Sequence, residues 1–544
     1  MRILRTLRRF FSTWRVYVGR NPHALPERSI ILFPYQPCVL FCGLAGLLII
    51  KTTNKHREEV FFDKFSRYTE AIRSNGIQDV ISGRVSPEDY LSPTDLQKFE
   101  NDLYTLKQDP SAQYQLCVSD GMDRLRKVRE DLQSVIGSQE ALLEDNADRF
   151  SSREIEIITS RLIVLKDISW GLSEDLMKNQ DKILDLAGSS TLPGPLSFST
   201  YQRINFCLNA LDRLEVRGRD SSGVQIVIRL EGADALSSLM APIKENGLYE
   251  EFIHRAKPGD LMNKSVHVSE NSLIFTYKTA QVTGDLGVNT QKLRAFVQSD
   301  SLLRFVLESQ AHTELFLAHT RWASVGAINE INAHPVNNFS VDSGRNGTWE
   351  FSIPLKNYPF YGKGSWVINV ALNGDIDNYH SLKDSLEIVT KLVDSRVTTD
   401  TKVIPLQVER YLIEGHDLKE AFRRAVNDFE GSHAIAMESN LEPGKLFLAL
   451  KGSGQSIYVG LCRNHYILSS EVYGLVEETP YFIKMDGENS RNGKNSQSQG
   501  QIFILRNNNG GGLKGIEAMY YDGYPLELSD SHIQKAEITT RDID

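Results

Sequence analysis

Between about residues 62 and 190 the apolar residues of this chain recur at alternating steps of three and four, and the pattern stops on either side. Leu125, Val128, Leu132, Val135 and Leu142 form one stripe, with Gln139 in the single polar slot. Ile155, Ile158, Leu162, Leu165, Leu172, Leu176, Ile183 and Leu186 form a second, interrupted by Ser169 and Asn179. Such stripes keep one helix face toward a neighbour and favour helices packed lengthwise. They predict a large antiparallel helical hairpin within residues 62–196. An internal packing seam is the commoner use of such a hairpin than a coiled coil for a partner.

The flanking sequence reads as strands. Residues 39–50 form a continuous apolar run, the pattern of a strand buried on both faces. After Thr191-Leu-Pro-Gly-Pro195, Ser199 or Thr200 can cap a helix reaching Leu214. Strands are then predicted at 224–230, 273–277, 315–319, 365–372, 434–437, 446–451, 457–461 and 465–469. Helical stretches fall near 380–394 and 417–428. This order describes an α+β chain, not alternating βαβ units. Glu488 to Gln499 reads as a linker. Asn507-Asn-Asn-Gly-Gly-Gly512 between two apolar runs reads as a hairpin turn. Five segments follow: a basic leader or pro-segment (1–41), a first strand (42–61), the helical insertion (62–196), the main α+β region (197–486), and a linker with hairpin (487–544).

The net charge of −9 argues against general nucleic-acid binding. The leader is the exception, with Arg2, Arg5, Arg8, Arg9, Arg15, Arg20 and Arg28 against Glu27 alone. Such a leader fits a transit or pro-segment, or the basic flank of a signal anchor. The apolar run from Ile30 to Ile50 is broken by Pro34, Gln36 and Pro37 and weakened by Gly43 and Gly46. It falls short of the roughly 20 uninterrupted residues of a membrane span, so a strand is expected and a membrane partner is not. Cys38, Cys42, Cys117, Cys207 and Cys462 are too few and scattered for a disulfide framework. A reducing, cytoplasmic setting follows. Without CxxC or HExxH spacing, no metal and no cofactor is expected. Gly452-Ser-Gly-Gln-Ser456 lacks the Lys-Ser/Thr pair of a phosphate loop and reads as a turn.

The densest cluster of chemistry-bearing residues is His319-Thr-Arg321-Trp322-Ala-Ser324-Val325-Gly326, followed by Asn332-Ala-His334-Pro335. An arginine here suits a small anionic ligand, because its planar fork matches a carboxylate with two parallel bonds. Four further segments accompany it: Phe41-Cys42-Gly-Leu-Ala-Gly46, Leu214-Glu-Val-Arg217-Gly-Arg-Asp-Ser-Ser-Gly223, Leu372-Asn373-Gly374-Asp-Ile-Asp-Asn378, and Thr399-Asp400-Thr401. In that order they resemble the glutaminase domain of the glucosamine-6-phosphate synthase family of class II glutamine amidotransferases. That family shows Cys-Gly-Ile-Val-Gly, Arg-Gly-Tyr-Asp-Ser-Ala-Gly, His-Thr-Arg-Trp-Ala-Thr-His-Gly, Asn-Ala-His-Pro, Asn-Gly and Thr-Asp-Thr. The resemblance covers Cys42–Gly46 and about 198–486.

The resemblance implies a four-layer αββα N-terminal-nucleophile sandwich carrying the helical hairpin as an insertion. It implies an enzyme that hydrolyses glutamine to glutamate and ammonia. Cys42 would be the nucleophile, its own α-amine the base; an α-amine titrates near pKa ~8 and can shuttle protons at neutral pH. Asn373 and Gly374 would donate to the oxyanion. Arg321 would hold the glutamine carboxylate and Asp400 its α-ammonium, with Arg217, Trp322 and Ser324 completing the substrate site. Gly218 and Gly223 would serve turns, and His319 and His334 would organise the site. Ammonia would pass to fructose 6-phosphate in C-terminal sugar-isomerase domains absent from this chain, whose residues 536–544 resemble the linker into them. A homo-oligomer is left open.

Each residue has a plainer reading: Cys42 as a small hydrophobe on a strand, Asn373-Gly374 as a hairpin turn, Asp400 as a helix N-cap. Three departures from the family stand out. Phe41 and forty further residues precede Cys42, so its amine is free only if they are removed or the start lies downstream. Val325 replaces a histidine and cannot relay a proton. Cys42 and Arg217 lie about 175 residues apart, far more than in simpler members of the family. The alternatives are the glutaminase domain of a phosphoribosylpyrophosphate amidotransferase, or a catalytically silent, membrane-anchored glutamine-binding scaffold.

Overall fold

The computed structural model describes residues 42–50 and 61–544, apart from 189–190, 233–234, 257–260, 270–271, 281–284, 310–311, 340–365, 391–392, 490–498 and 509. The basic leader, and most of the apolar run that follows it, lie outside the described residues. Fifteen strands are described: β1 Gly43–Ile49, β2 Ser221–Leu230, β3 Ser265–Ser269, β4 Ser272–Ala280, β5 His312–Arg321, β6 Val336–Asn337, β7 Ile368–Gly374, β8 His433–Ser439, β9 Lys445–Lys451, β10 Tyr458–Leu461, β11 His465–Ser469, β12 Tyr481–Lys484, β13 Gln501–Arg506, β14 Ile516–Tyr520 and β15 Ile533–Lys535. They form a nine-stranded sheet, ordered β15-β12-β10-β11-β1-β5-β2-β4-β3, and a six-stranded sheet, ordered β14-β13-β9-β8-β7-β6. The chain is α+β, as expected.

β1 explains why its sequence is apolar without alternation. Ala45, Leu47 and Ile49 pack with the helix Pro195–Leu214 in one apolar cluster. Leu44 and Leu48 point the other way and meet Ala371, Ala434, Leu448 and Phe503 of the six-stranded sheet. Successive side chains of a strand face opposite sides, and here both sides are core. β1 runs antiparallel between β5 and β11. The far face of the six-stranded sheet is covered by the helices Val403–Ile413 and Leu418–Asp428, with Ile404, Leu412, Phe422 and Val426 against Leu372 and Phe447. Among the described residues no helix is long and apolar enough to cross a membrane.

The helical insertion is larger than the expected hairpin. Its striped helices are Gly121–Asp145 and Ser152–Trp170, the second continuing through a π-helical turn at Gly171–Lys178 into Asn179–Ala187. They also pack against the helices Phe61–Arg73 and Pro93–Lys107, so Leu125, Leu132, Leu162 and Leu165 share a core with Phe65, Phe99 and Leu103. A two-helix hairpin would leave the outer side of that core wet. The polar interruptions have partners. Gln139 Oε1 accepts from the Ile77 amide at 2.7 Å, at the start of the short helix Ile77–Ile81. Asn179 Nδ2 donates to Glu477 at 2.9 Å, joining the insertion to the segment after β11.

Two further expectations are corrected. The strand-dominated reading passed over the helices Ala235–Glu245, Tyr249–Ala256, Val288–Gln298, Ser301–Ser309 and Val403–Ile413. The segment 487–544 is not simply a linker with a hairpin. β13 and β14 form the expected hairpin, yet β13 also pairs with β9 and extends the six-stranded sheet. β15 pairs with β12 at the edge of the nine-stranded sheet. Arg541 then reaches Asp167 at 2.5 Å and Asp544 meets Arg213 at 2.7 Å, so the terminal residues are docked on the body of the protein.

Candidate functional site

The register of β1 places Cys42. Gly43 stands opposite Thr320, so the next position outward sets Cys42 against Arg321, where β5 ends. The Trp322 amide donates to Cys42 Sγ at 3.2 Å. From the facing sheet β7 ends at Asn373-Gly374, and Asn373 Nδ2 donates to the Cys42 carbonyl at 2.9 Å. The site therefore lies at one end of the two sheets, where β1, β5 and β7 terminate together.

Asn373 is itself oriented. With Nδ2 on the Cys42 carbonyl, Oδ1 accepts, and His319 Nε2–H is the donor at 3.0 Å. Burial, reinforced by the Arg321 charge, pushes His319 down to about 3, so the imidazole is neutral. Gly374 has φ +94°, a left-handed conformation that suits glycine, and it turns the chain out of the strand. Asn373-Gly374 is thus the terminus of a strand, not the turn of a hairpin.

Arg321 is buried and donates to the carbonyls of Val325 and, at 3.4 Å, Ala327. Burial lowers its pKa, opposed by Cys42, Asp400 and Asp220. The Val325 side chain is no part of this contact. Asp400 is buried and accepts from the amides of Ile376 at 2.9 Å and Thr401 at 2.8 Å. It is the first residue of a short 3-10 turn leading into the helix Val403–Ile413; the turn's N-cap is Thr399 and the helix's is Lys402, so Asp400 is not the N-cap of the plainer reading. Burial raises Asp400 to about 6, the Asp375 charge adding to it and the backbone donors and Arg321 opposing it. Cys42 is pushed up to about 12: loss of water around the thiolate dominates, the Trp322 amide and Arg321 lower it, and Asp400 and Asp375 raise it.

The loop 322–327 is tied down on both sides. Ser324 Oγ donates to Asp375, the residue after Gly374, and the Ala323 amide donates to Asp220 at 2.8 Å. Asn332 Oδ1 accepts from the amides of Thr398 at 2.8 Å and Thr399 at 3.1 Å, holding the approach to Asp400. His334 Nε2 lies 2.8 Å from Thr401 Oγ1. Sequence reasoning missed Asp220, Asp375 and the details of this bracing, although Asp220 and Asp375 stand inside the quoted motifs.

Two expected residues sit differently. Arg217 pairs with Glu471 and makes no described contact with Cys42; it anchors the segment after β11, whose Ser470 Oγ accepts from the Leu44 amide at 3.0 Å. Trp322 is 37% exposed, and its described contacts with Cys42 are through its backbone amide and carbonyl. Gly223 is no turn: it lies inside β2, where a Cβ would stand 2.2 Å from the His334 carbonyl oxygen.

Two facing antiparallel sheets, a cysteine at the head of a central strand, and a buried arginine and a buried aspartate near it form the setting expected of a glutamine amidotransferase. Over part of its length the chain is homologous to glutamine–fructose-6-phosphate aminotransferases (isomerizing). It is 33% identical to that of Methanothermobacter thermautotrophicus over 170 residues, 31% of this chain and 24% of that protein. It is 30% identical to that of Acinetobacter baylyi over 186 residues, 34% of this chain and 25% of that protein. The chain thus spans about a quarter of the length of the curated relatives it matches. No family profile matches. A solved glutamine phosphoribosylpyrophosphate amidotransferase from B. subtilis superposes with a TM-score of 0.33 at 14% identity, covering 58% of this chain and 46% of that one.

Proposed function

We propose that Cys42 is the nucleophile of a glutaminase site, releasing ammonia from glutamine through a thioester. The observation that carries this reading is the meeting of three groups at one point: the Cys42 thiol, the Asn373 amide on its carbonyl, and the Trp322 amide on its sulfur. A thiol pushed up to about 12 needs a base at hand. The described contacts of the sulfur are to the Trp322 backbone alone, and His319, held near 3, is spoken for by Asn373. The free α-amine of a Cys42 at a chain terminus fits this need. It takes the thiol proton, the thiolate attacks the amide carbon, and the same proton leaves with ammonia. Water then hydrolyses the thioester to glutamate.

Asn373 Nδ2 and the Gly374 amide donate to the oxyanion, each such donor contributing about 3–4 kcal/mol. Arg321 holds the α-carboxylate with the N–H groups not committed to Val325 and Ala327, and Asp400 pairs with the α-ammonium. Ser324 keeps the loop closed against Asp375. Arg217 acts at a distance, through Glu471. The layering of helices and sheets is that of the N-terminal-nucleophile sandwich, with residues 62–196 as its insertion. The ammonia acceptor, on the names of the relatives, is fructose 6-phosphate bound by sugar-isomerase domains outside this chain.

Ammonia release from glutamine tests this reading. With Cys42 at the chain terminus, Cys42→Ala is expected to abolish release while leaving the melting temperature close to that of the parent. Unchanged release in Cys42→Ala would remove the nucleophile assignment.

A further inference from the structure

A second cluster of reactive side chains lies away from the Cys42 site, at the opposite end of β11. The turn Cys462-Arg463-Asn464-His465 joins β10 to β11 and is closed by the Cys462 amide on the His465 carbonyl at 3.2 Å. Thirteen residues on, Glu478 returns to the same point. Cys462 Sγ, a His465 ring nitrogen and a Glu478 carboxylate oxygen all lie within 4.8 Å of one another. All three residues are more than nine-tenths buried. The sequence reading expected no metal because it looked for CxxC and HExxH spacings; the Cys-x-x-His here rests on a two-strand turn and its third donor comes from a separate segment.

We infer that Cys462, His465 and Glu478 form a zinc-binding site that ties the β10–β11 turn to the segment after β11, at the place where the helical insertion docks through Gln108. Thiolate, imidazole and carboxylate are the donors zinc takes, and a tetrahedral ion with bonds of about 2.0–2.3 Å holds its donors about 3.3–3.8 Å apart. The three side chains need only small adjustments to meet that spacing. His465 Nε2 already stands 2.6 Å from Glu478 Oε2 yet makes no hydrogen bond there, which leaves its lone pair for an ion. The Cys462 proton leaves for solvent on binding.

The surroundings are braced as an outer shell must be. Gln202 Nε2 donates to the other Glu478 oxygen at 3.1 Å, leaving Oε2 for the site. From the insertion, Gln108 accepts from the Arg463 amide at 3.0 Å and donates to the Glu478 carbonyl at 2.6 Å. One glutamine thus clamps both the turn and the segment that would share the ion. This inference is independent of the glutaminase reading.

The test uses the full chain carrying Cys42→Ser, so that the candidate nucleophile contributes no thiol. After chelator treatment the protein is titrated with Zn(II) against an indicator and, separately, with Co(II). The site predicts one equivalent of bound metal, a near-ultraviolet thiolate-to-Co(II) band, and a higher melting temperature with Zn(II). Cys462→Ser should abolish the band. Cys462→Ser and His465→Gln should each weaken Zn(II) binding by at least the roughly 10–100-fold that loss of an outer-shell partner costs. The Co(II) spectrum of the parent decides even if a variant fails to fold. No thiolate band in a folded parent, or Zn(II) affinity unchanged in both variants, overturns the proposal in favour of a plain His465–Glu478 ion pair.

Discussion

Asp400 carries a consequence that can be read in solution. Its carboxyl is raised to about 6 by burial, yet the proposed grip on an α-ammonium needs it ionised. Below about pH 6 the empty site holds a neutral acid, which donates or accepts a hydrogen bond but supplies no charge. KM for glutamine is therefore expected to rise as pH falls from 7 to 5, and Asp400→Asn should weaken binding and flatten that dependence. Steady-state kinetics across this range check it. The sign for folding is the converse. A raised carboxyl holds its proton in the folded chain when the unfolded chain has already lost it, so between the ordinary aspartate value and about 6 this group lowers stability as pH rises. Cys42, Arg321, Asn373 and Asp400 were legible because each stands in a short motif. His319 was legible only as an organiser. Its task, orienting the Asn373 amide across 3.0 Å, exists only once two sheets face each other, and no local pattern encodes that.

The loop 322–327 shows how an element places these residues. Gly326 has φ +89°, and a Cβ there would stand 2.6 Å from the Thr398 carbonyl oxygen. Only glycine lets the Arg321 loop lie this close to the strand of chain leading to Asp400. Gly326→Ala is expected to cost on the order of 1–3 kcal/mol of stability and to raise KM for glutamine more than it lowers kcat. Calorimetry and kinetics on one preparation separate the two effects. The strands were largely legible, β1 because a run buried on both faces cannot hide its apolar character. The helix Val403–Ile413 was not: Val403 through Glu409 are all buried, so no amphipathic period marks it. The polar Gln139 and Asn179 were visible as breaks in the stripes, but their partners, the Ile77 amide and Glu477, lie far away in sequence.

On the scale of the whole molecule, the insertion is joined to the α+β body through buried charge. Within the insertion Lys107 meets Asp175 at 2.5 Å, both largely removed from water, and from outside it Thr540 Oγ1 donates to the same carboxylate at 3.0 Å. Beside them Glu477 gathers Asn179, Asn209 and Arg213. Lys107→Ala would leave Asp175 without its counter-ion, and breaking such a pair costs about 3–5 kcal/mol. Chemical denaturation should show that loss, and restoring a cation with Lys107→Arg should recover part of it. This network also fixes the segment running from Glu471 to Glu478, which borders both β1 and the proposed zinc site. The helical stripes announced an insertion, but not that buried polar and charged groups would help seat it beside the apolar contacts of Ile183 and Leu186.

The central claim is that Cys42 acts with its own amine. Two proteins decide it: one released by a site-specific protease to begin at Cys42, the other to begin at Phe41. Each is weighed by intact-mass spectrometry and assayed for ammonia from glutamine. The account predicts turnover from the chain beginning at Cys42 and loss of nearly all of it with the single extra residue. Equal rates from both, or none from the chain beginning at Cys42, would contradict it.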